Sequence, residues 1–103
     1  MERLHHIALP VADITQALEW YRATFDVETV YADESWALLR FENVALALVL
    51  PSQHPTHIAV ERADAASFGA LTPHRDGTAS VYVTDPFGNV VEFLTTPGAP
   101  GTS

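Results

Sequence analysis

The chain writes one nine-residue phrase twice: HHIALPVAD at residues 5–13 returns as THIAVERAD at residues 56–64. Self-similarity at a long, fixed interval points to one supersecondary unit built twice, and it limits the chain to folds made of two like halves. With 103 residues there is room for one domain and no second independent core. The two copies must therefore share a fold as its modules.

Each copy can be read on from its phrase. Leu4 to Val11 alternates as a strand, with Ile7 and Leu9 on one face and His6 and Ala8 on the other. Asp13 ends it and caps a helix, with Gln16 three residues on and Ile14, Ala17, Leu18, Tyr21 and Phe25 at helical spacing. Glu28 to Asp33, Trp36 to Glu42 and Val44 to Leu50 are three further strand-like runs, broken at Glu34-Ser35 and at Asn43. The first half reads βαβββ. After Pro51 and Pro55 the pattern restarts: a strand from Thr56 to Glu61, a short helical stretch from Asp64 to Leu71, and strands at Ala79 to Thr84 and Val90 to Thr95. His6 and His57 are 51 residues apart, whereas Phe41-Glu42-Asn43-Val44 and Phe87-Gly88-Asn89-Val90 are 46 apart. The second copy is thus shorter, and its early outer strand, within Thr72 to Thr78, is expected to be reduced or absent. The expected organisation is a single domain over residues 1–96, with modules at about 4–50 and 56–95, followed by a tail at 97–103 rich in Pro, Gly and small polar residues.

Charge and composition exclude several functions. A net charge of −8 repels a phosphate backbone, so nucleic acid is not expected as a partner. No apolar run reaches the roughly 18 residues of a membrane span, and residue 1 leads straight into charged and strand-like sequence without the zones of a secretion signal. A cytoplasmic, membrane-free protein is the expectation. There is no cysteine, which removes disulfides, thiolate ligands and thiol nucleophiles together. Any metal must be held by imidazole and carboxylate.

The repeat supplies such ligands. If Ile7, Leu9, Ile58 and Val60 face the helices, His6 and His57 share the opposite face, and Glu92 joins them there because Val91 and Phe93 point the other way. Two imidazoles and a carboxylate occupy one side of a divalent cation and leave positions open for water or substrate, an arrangement suited to Fe(II), Mn(II), Zn(II) or a similar ion. His5 falls on the helix-facing side and His54 in the connector, both outside this set.

HHIALPVAD, THIAVERAD and DPFGNVVEFL together resemble the paired modules of the vicinal oxygen chelate superfamily, which includes glyoxalase I, methylmalonyl-CoA epimerase, bleomycin and fosfomycin resistance proteins and extradiol dioxygenases. The resemblance covers residues 4–95. It implies an α+β fold in which two βαβββ modules curl one mixed sheet into a cup, with helices on the outer face and metal ligands on the first and last strands of each module. By that pattern the ligands are His6, His57 and Glu92, the ion being Fe2+, Mn2+, Zn2+ or Ni2+. Leu46, the repeat partner of Glu92 at an interval of 46, stands at the fourth ligand place, where glyoxalases and epimerases carry Glu or Gln. The three-ligand set is closer to that of extradiol dioxygenases. Thr72-Pro73-His74, followed by Val81-Tyr82-Val83-Thr84-Asp85-Pro86-Phe87-Gly88 and Glu92, resembles their signature, in which the His and Tyr assist a metal-bound catechol. His74 and Tyr82 are accordingly the expected catalytic residues, and Trp36 and Phe87 the expected ligand contacts. Residues 42–50 hold no His that could serve as the further acid/base group of those dioxygenases.

The expected function is therefore a small metal-dependent enzyme, lyase, isomerase or dioxygenase-like, acting on a small molecule with vicinal oxygens. The alternative is a metal-free drug-binding or resistance protein that uses the same cup, with Trp20, Trp36 and Phe87 against an apolar ligand. A homodimer is expected under either reading, because a shortened module leaves strand edges that favour a partner.

Overall fold

The structure, a computed structural model, describes residues 1–74 and 77–96. Among the described residues eight strands and one α-helix make a mixed α+β fold, and the chain divides into two compact units, one of residues 6–57 and the other of residues 1–5 with the chain from residue 58 onward. The tail expected at 97–103 lies outside the described residues.

The first unit runs β1 (Leu4–Pro10), α1 (Ile14–Thr24), β2 (Glu28–Ala32), β3 (Trp36–Arg40) and β4 (Ala45–Val49), β1 entering it at His6. Its strand order is β2-β3-β4-β1, with β1 parallel to β4 and the other pairs antiparallel. The helix starts where the sequence places it: the Asp13 carboxylate accepts from the Gln16 backbone N–H at 2.9 Å, and satisfies a donor that the first turn leaves without a partner. Period-two alternation then sorts the sheet into two faces. Leu39, Leu46 and Leu48 are buried with Ile14 on the helix side, where Ile7, Leu9, Ala17, Leu18 and Tyr21 pack against them. On the opposite face Ala8, Ala47 and Val49 are buried beneath Trp36 and Leu38.

The second unit repeats this order with β5 (His57–Glu61), which enters it at Ile58, β6 (Thr72–Pro73), β7 (Ala79–Thr84) and β8 (Val90–Thr95), arranged β5-β8-β7-β6. Replacing each strand by its counterpart turns β6-β7-β8-β5 into β2-β3-β4-β1, so the internal repeat is a repeat of topology. The reduction expected from the interval is also present: β6 has two residues where β2 has five. The helix is reduced as well, to a 3₁₀ turn at Ala65–Phe68. So short an element cannot cover a sheet face, and Ile58, expected to be covered, is exposed. Part of the cover is supplied by Arg62, whose guanidinium lies 5.1 Å from the Phe68 ring centroid and 5.3 Å from that of Phe93. Asp64 holds it there through two hydrogen bonds of 2.9 and 3.0 Å.

Candidate metal centre

His6 is carried on the face of β1 opposite the helix, in register with Ala45 of β4. His57 opens β5, is nearly fully buried, and turns its Nε2 to within 3.4 Å of the Nε2 of His6. The two rings meet edge to face, their centroids 5.4 Å apart. The tautomer of His57 follows from its other nitrogen. Nδ1 lies 2.8 Å from the carbonyl oxygen of Pro55, which can only accept, so Nδ1 carries the proton and Nε2 presents a lone pair. This is the state of a metal-ligating imidazole. The spacing fits as well: two nitrogens each about 2.0–2.1 Å from a tetrahedral ion lie roughly 3.3–3.4 Å apart.

Glu92 sits on β8, paired with Tyr82 of β7 and only 4% exposed. Val90 and Val91 precede it and Phe93 and Leu94 follow, so the strand forms on apolar residues and carries one buried carboxylate among them. One donor atom from each of His6, His57 and Glu92 lies within 4.8 Å of the other two, a group that could hold a metal ion. His74 is beside Glu92, with Nε2 at 3.7 Å from Oε2. The Tyr82 hydroxyl is pushed up to about 12, first by burial and then by the negative charge of Glu92. At neutral pH it is a phenol that donates a hydrogen bond, and it is no base.

Leu46 requires a correction. It pairs with Ile7, not His6, and belongs to the helix-side core, so it does not stand at the fourth ligand place. The interval of 46 is off by one residue. Between the last pair of each hairpin, Arg40 with Ala45 and Thr84 with Val90, the first turn holds residues 41–44 and the second 85–89. Counting inward from those pairs, the third is Leu38 with Ala47 in one hairpin and Tyr82 with Glu92 in the other. Ala47 therefore occupies the place of Glu92 and Leu38 that of Tyr82. Alanine supplies no ligand either, and the described donor set stays at three.

Of the expected ligand contacts, Trp36 lies on the His6 face of the first unit, over Val49, and stacks on Tyr31 with centroids 4.7 Å apart. Phe87 is at the tip of the β7–β8 turn and 90% exposed. Asp85 builds that turn by accepting from the backbone N–H groups of Phe87 and Asn89 and from the Asn89 side-chain amide, but no described neighbour fixes the ring. Two features escaped the sequence. Ser80, 1% exposed, lies with its Oγ 2.7 Å from His74 Nε2; its even parity with Tyr82 was the available signal. Asp33 accepts from the Tyr31 hydroxyl and from the backbone N–H groups of Ser35 and Trp36 as well as the Ser35 hydroxyl. These bonds, the Tyr31 one foremost, hold its carboxyl well below the usual carboxylate range.

No protein-family model matches the chain, and no curated protein matches it in sequence. Solved structures match in fold. A methylmalonyl-CoA epimerase in complex with methylmalonyl-CoA aligns at TM-score 0.74 and 19% identity over 95% of this chain and 96% of that one. The Streptomyces coelicolor methylmalonyl-CoA epimerase, as a variant with 2-nitronate-propionyl-CoA, aligns at 0.73 and 20% over 93% and 95%. A glyoxalase/bleomycin resistance protein/dioxygenase superfamily member from Vibrio splendidus aligns at 0.65 and 16% over 92% and 98%. The chain has the vicinal oxygen chelate fold.

Proposed function

We propose that the chain is a small metal-dependent enzyme acting on a small molecule with two neighbouring oxygens, with His6, His57 and Glu92 as ligands of one divalent cation, Fe2+, Mn2+, Zn2+ or Ni2+. The observation that carries this reading is the facing pair of imidazoles, one of them with its proton already committed to Pro55 and its Nε2 turned to the other. A buried carboxylate from a third strand completes a donor set of the kind that leaves coordination positions open. A divalent ion held there supplies Lewis acidity to the oxygens of a bound ligand.

The remaining steps belong to side chains. Tyr82, kept neutral, donates a hydrogen bond to a ligand oxygen, and His74 faces the same ligand, the roles that the His-and-Tyr signature of extradiol dioxygenases implies. On the His6 face Trp36 and Leu38, packed over Ala8 and Ala47, offer apolar surface for the apolar part of the ligand. Phe87 is a second ligand contact in this reading, at the rim. The epimerases of like fold bind an acyl-CoA, and a substrate of that kind is included in the proposal alongside a catechol. The protein is further proposed to act in the cytoplasm and as a homodimer; no described helix is long and apolar enough to cross a membrane.

A metal-free ligand carrier is the second reading, favoured by the same imidazole pair: an Nε2–H of His6 donating to His57 would satisfy both rings without an ion. Metal analysis decides between them. Protein purified without chelator and reconstituted with each of the four ions should hold close to one ion per chain, and a Glu92→Ala variant with unchanged circular dichroism should lose it. Failure of every ion to bind would leave the carrier. Glyoxalase and catechol oxygen-uptake assays then separate the enzymatic branches.

A further inference from the structure

His74 has two ring nitrogens in different surroundings. Nε2 is engaged inside the fold, 2.7 Å from Ser80 Oγ and 3.7 Å from Glu92 Oε2. Among the described residues Nδ1 has no partner and no buried side-chain nitrogen or oxygen lacks one; with the side chain 32% exposed, Nδ1 opens to solvent. Ser80 is nearly sealed from water, and Nε2 is the acceptor within reach of its hydroxyl proton.

These contacts decide where the imidazole proton sits. A proton on Nε2 would make Ser80 the acceptor and strand its own hydroxyl proton in the interior, where an unmade hydrogen bond is costly. The Glu92 carboxylate would draw a proton to Nε2, but at 3.7 Å it is beyond hydrogen-bond distance and cannot replace the bond at 2.7 Å. With the proton on Nδ1, Ser80 donates to Nε2, the buried hydroxyl is satisfied, and the N–H faces outward. The backbone holds the ring in place for this: His74 follows the two residues of β6 and turns back through its N–H to the Thr78 carbonyl at 2.8 Å, while Ser80 is fixed in register with Thr72.

We propose that Ser80 is a positioning residue that locks His74 in the Nδ1–H tautomer, so that His74 meets a ligand as a hydrogen-bond donor. The site then takes a ligand whose oxygen at that place has no proton to give: a carbonyl, an enolate or a phenolate oxygen. The use of the proton on a ligand rests on the function proposed above, whereas the tautomer does not, and it is measured on the metal-free chain.

The test is a long-range proton–nitrogen correlation spectrum of the imidazole rings at about pH 8, above the ordinary imidazole range, with His74 assigned from a His74→Asn variant. The wild-type chain should show Nδ1–H in at least about tenfold excess, the factor that one buried unmade hydrogen bond sustains. Ser80→Thr, which keeps the hydroxyl, should retain it, and Ser80→Ala should lose the excess. A wild-type ring protonated on Nε2 overturns the proposal without any variant, as does a folded Ser80→Ala that keeps the Nδ1–H form. Metal binding measured on the same samples separates a failure of this assignment from a failure of the metal reading.

Discussion

Placing a carboxylate at residue 46 or at residue 47 tests the register on which the donor set depends. Leu46 is buried among Ile14, Ala37, Leu39 and Leu48, on the helix side. Leu46→Glu removes a core leucine, worth about 2–5 kcal/mol by analogy with truncation to alanine, and adds a carboxylate with no partner in an apolar environment. For a domain of this size each kcal/mol is about 4–8 °C in Tm, so the loss should be at least about 10 °C, and divalent metal should not recover it. Ala47→Glu falls on the His6 face, at the counterpart of Glu92. Being 4% exposed, Ala47 has little room, and overpacking should cost about 1–3 kcal/mol in the metal-free protein. As a fourth ligand, however, the new carboxylate should tighten metal binding by at least about tenfold. At saturating metal that adds about 1.4 kcal/mol over the wild-type stabilisation, or about 6–11 °C. Thermal unfolding of wild type and both variants, with chelator and with excess Zn2+ or Mn2+, reads all of this directly. A larger metal-induced shift in Leu46→Glu than in Ala47→Glu would show the pairing to be slipped by one residue and the argument wrong.

Asp33→Asn addresses the cap of the β2–β3 turn. The Asp33 carboxyl is held below its ordinary range by hydrogen bonds to its charged form, so its contribution is complete above about pH 4 and fades as acid protonates it. Tm followed from about pH 5 to pH 2 should fall more steeply in wild type than in the variant, and parallel curves would refute the assignment. Gly69 has φ +153° and would place a Cβ 2.9 Å from Val81 Cγ2. Gly69→Ala is therefore expected to cost about 1–3 kcal/mol, seen as a lower urea midpoint at unchanged slope, and a neutral result would mean that the 3₁₀ turn shifts freely off β7.

The sequence carried the fold because two kinds of periodicity agreed. Alternation in β1 placed Ile7 and Leu9 against the helix and Ala8 away from it, and the repeat then carried the same face to His57. Both signals are carried by the order of residues alone and survive without any knowledge of packing. The slip at Leu46 came from treating the interval between the Phe-x-Asn-Val segments as the interval between strands. Those segments lie at the turns, the part of a hairpin whose length varies, and one extra residue there exchanges the two faces of the following strand. Ser80 and Asp33 were not legible for another reason. Each matters through where its hydroxyl or carboxylate finds partners, and a strand Ser or a turn Asp has the same local pattern whether or not those partners arrive.

His74 reaches Ser80 of β7 and Glu92 of β8 because the outer hairpin of the second module turns at that residue. In the first module β2 keeps pairing with β3 from Glu28 with Arg40 to Ala32 with Ala37, and its side chains are committed to a ladder. In the second, pairing stops after Thr72 with Ser80 and Pro73 with Ala79, and proline at that end cannot donate to a further rung. The next residue is His74, which closes the hairpin through its N–H to the Thr78 carbonyl and lays its ring over the neighbouring strand toward Ser80 and Glu92. Reducing the helix to a 3₁₀ turn removed cover from the outer layer, which Arg62 and Phe68 partly restore over Phe93. The short outer hairpin holds one imidazole beside the buried carboxylate. Leu38 and Ala47 stand in the first module where Tyr82 and Glu92 stand in the second, so the ionisable pair at this register belongs to the second module alone.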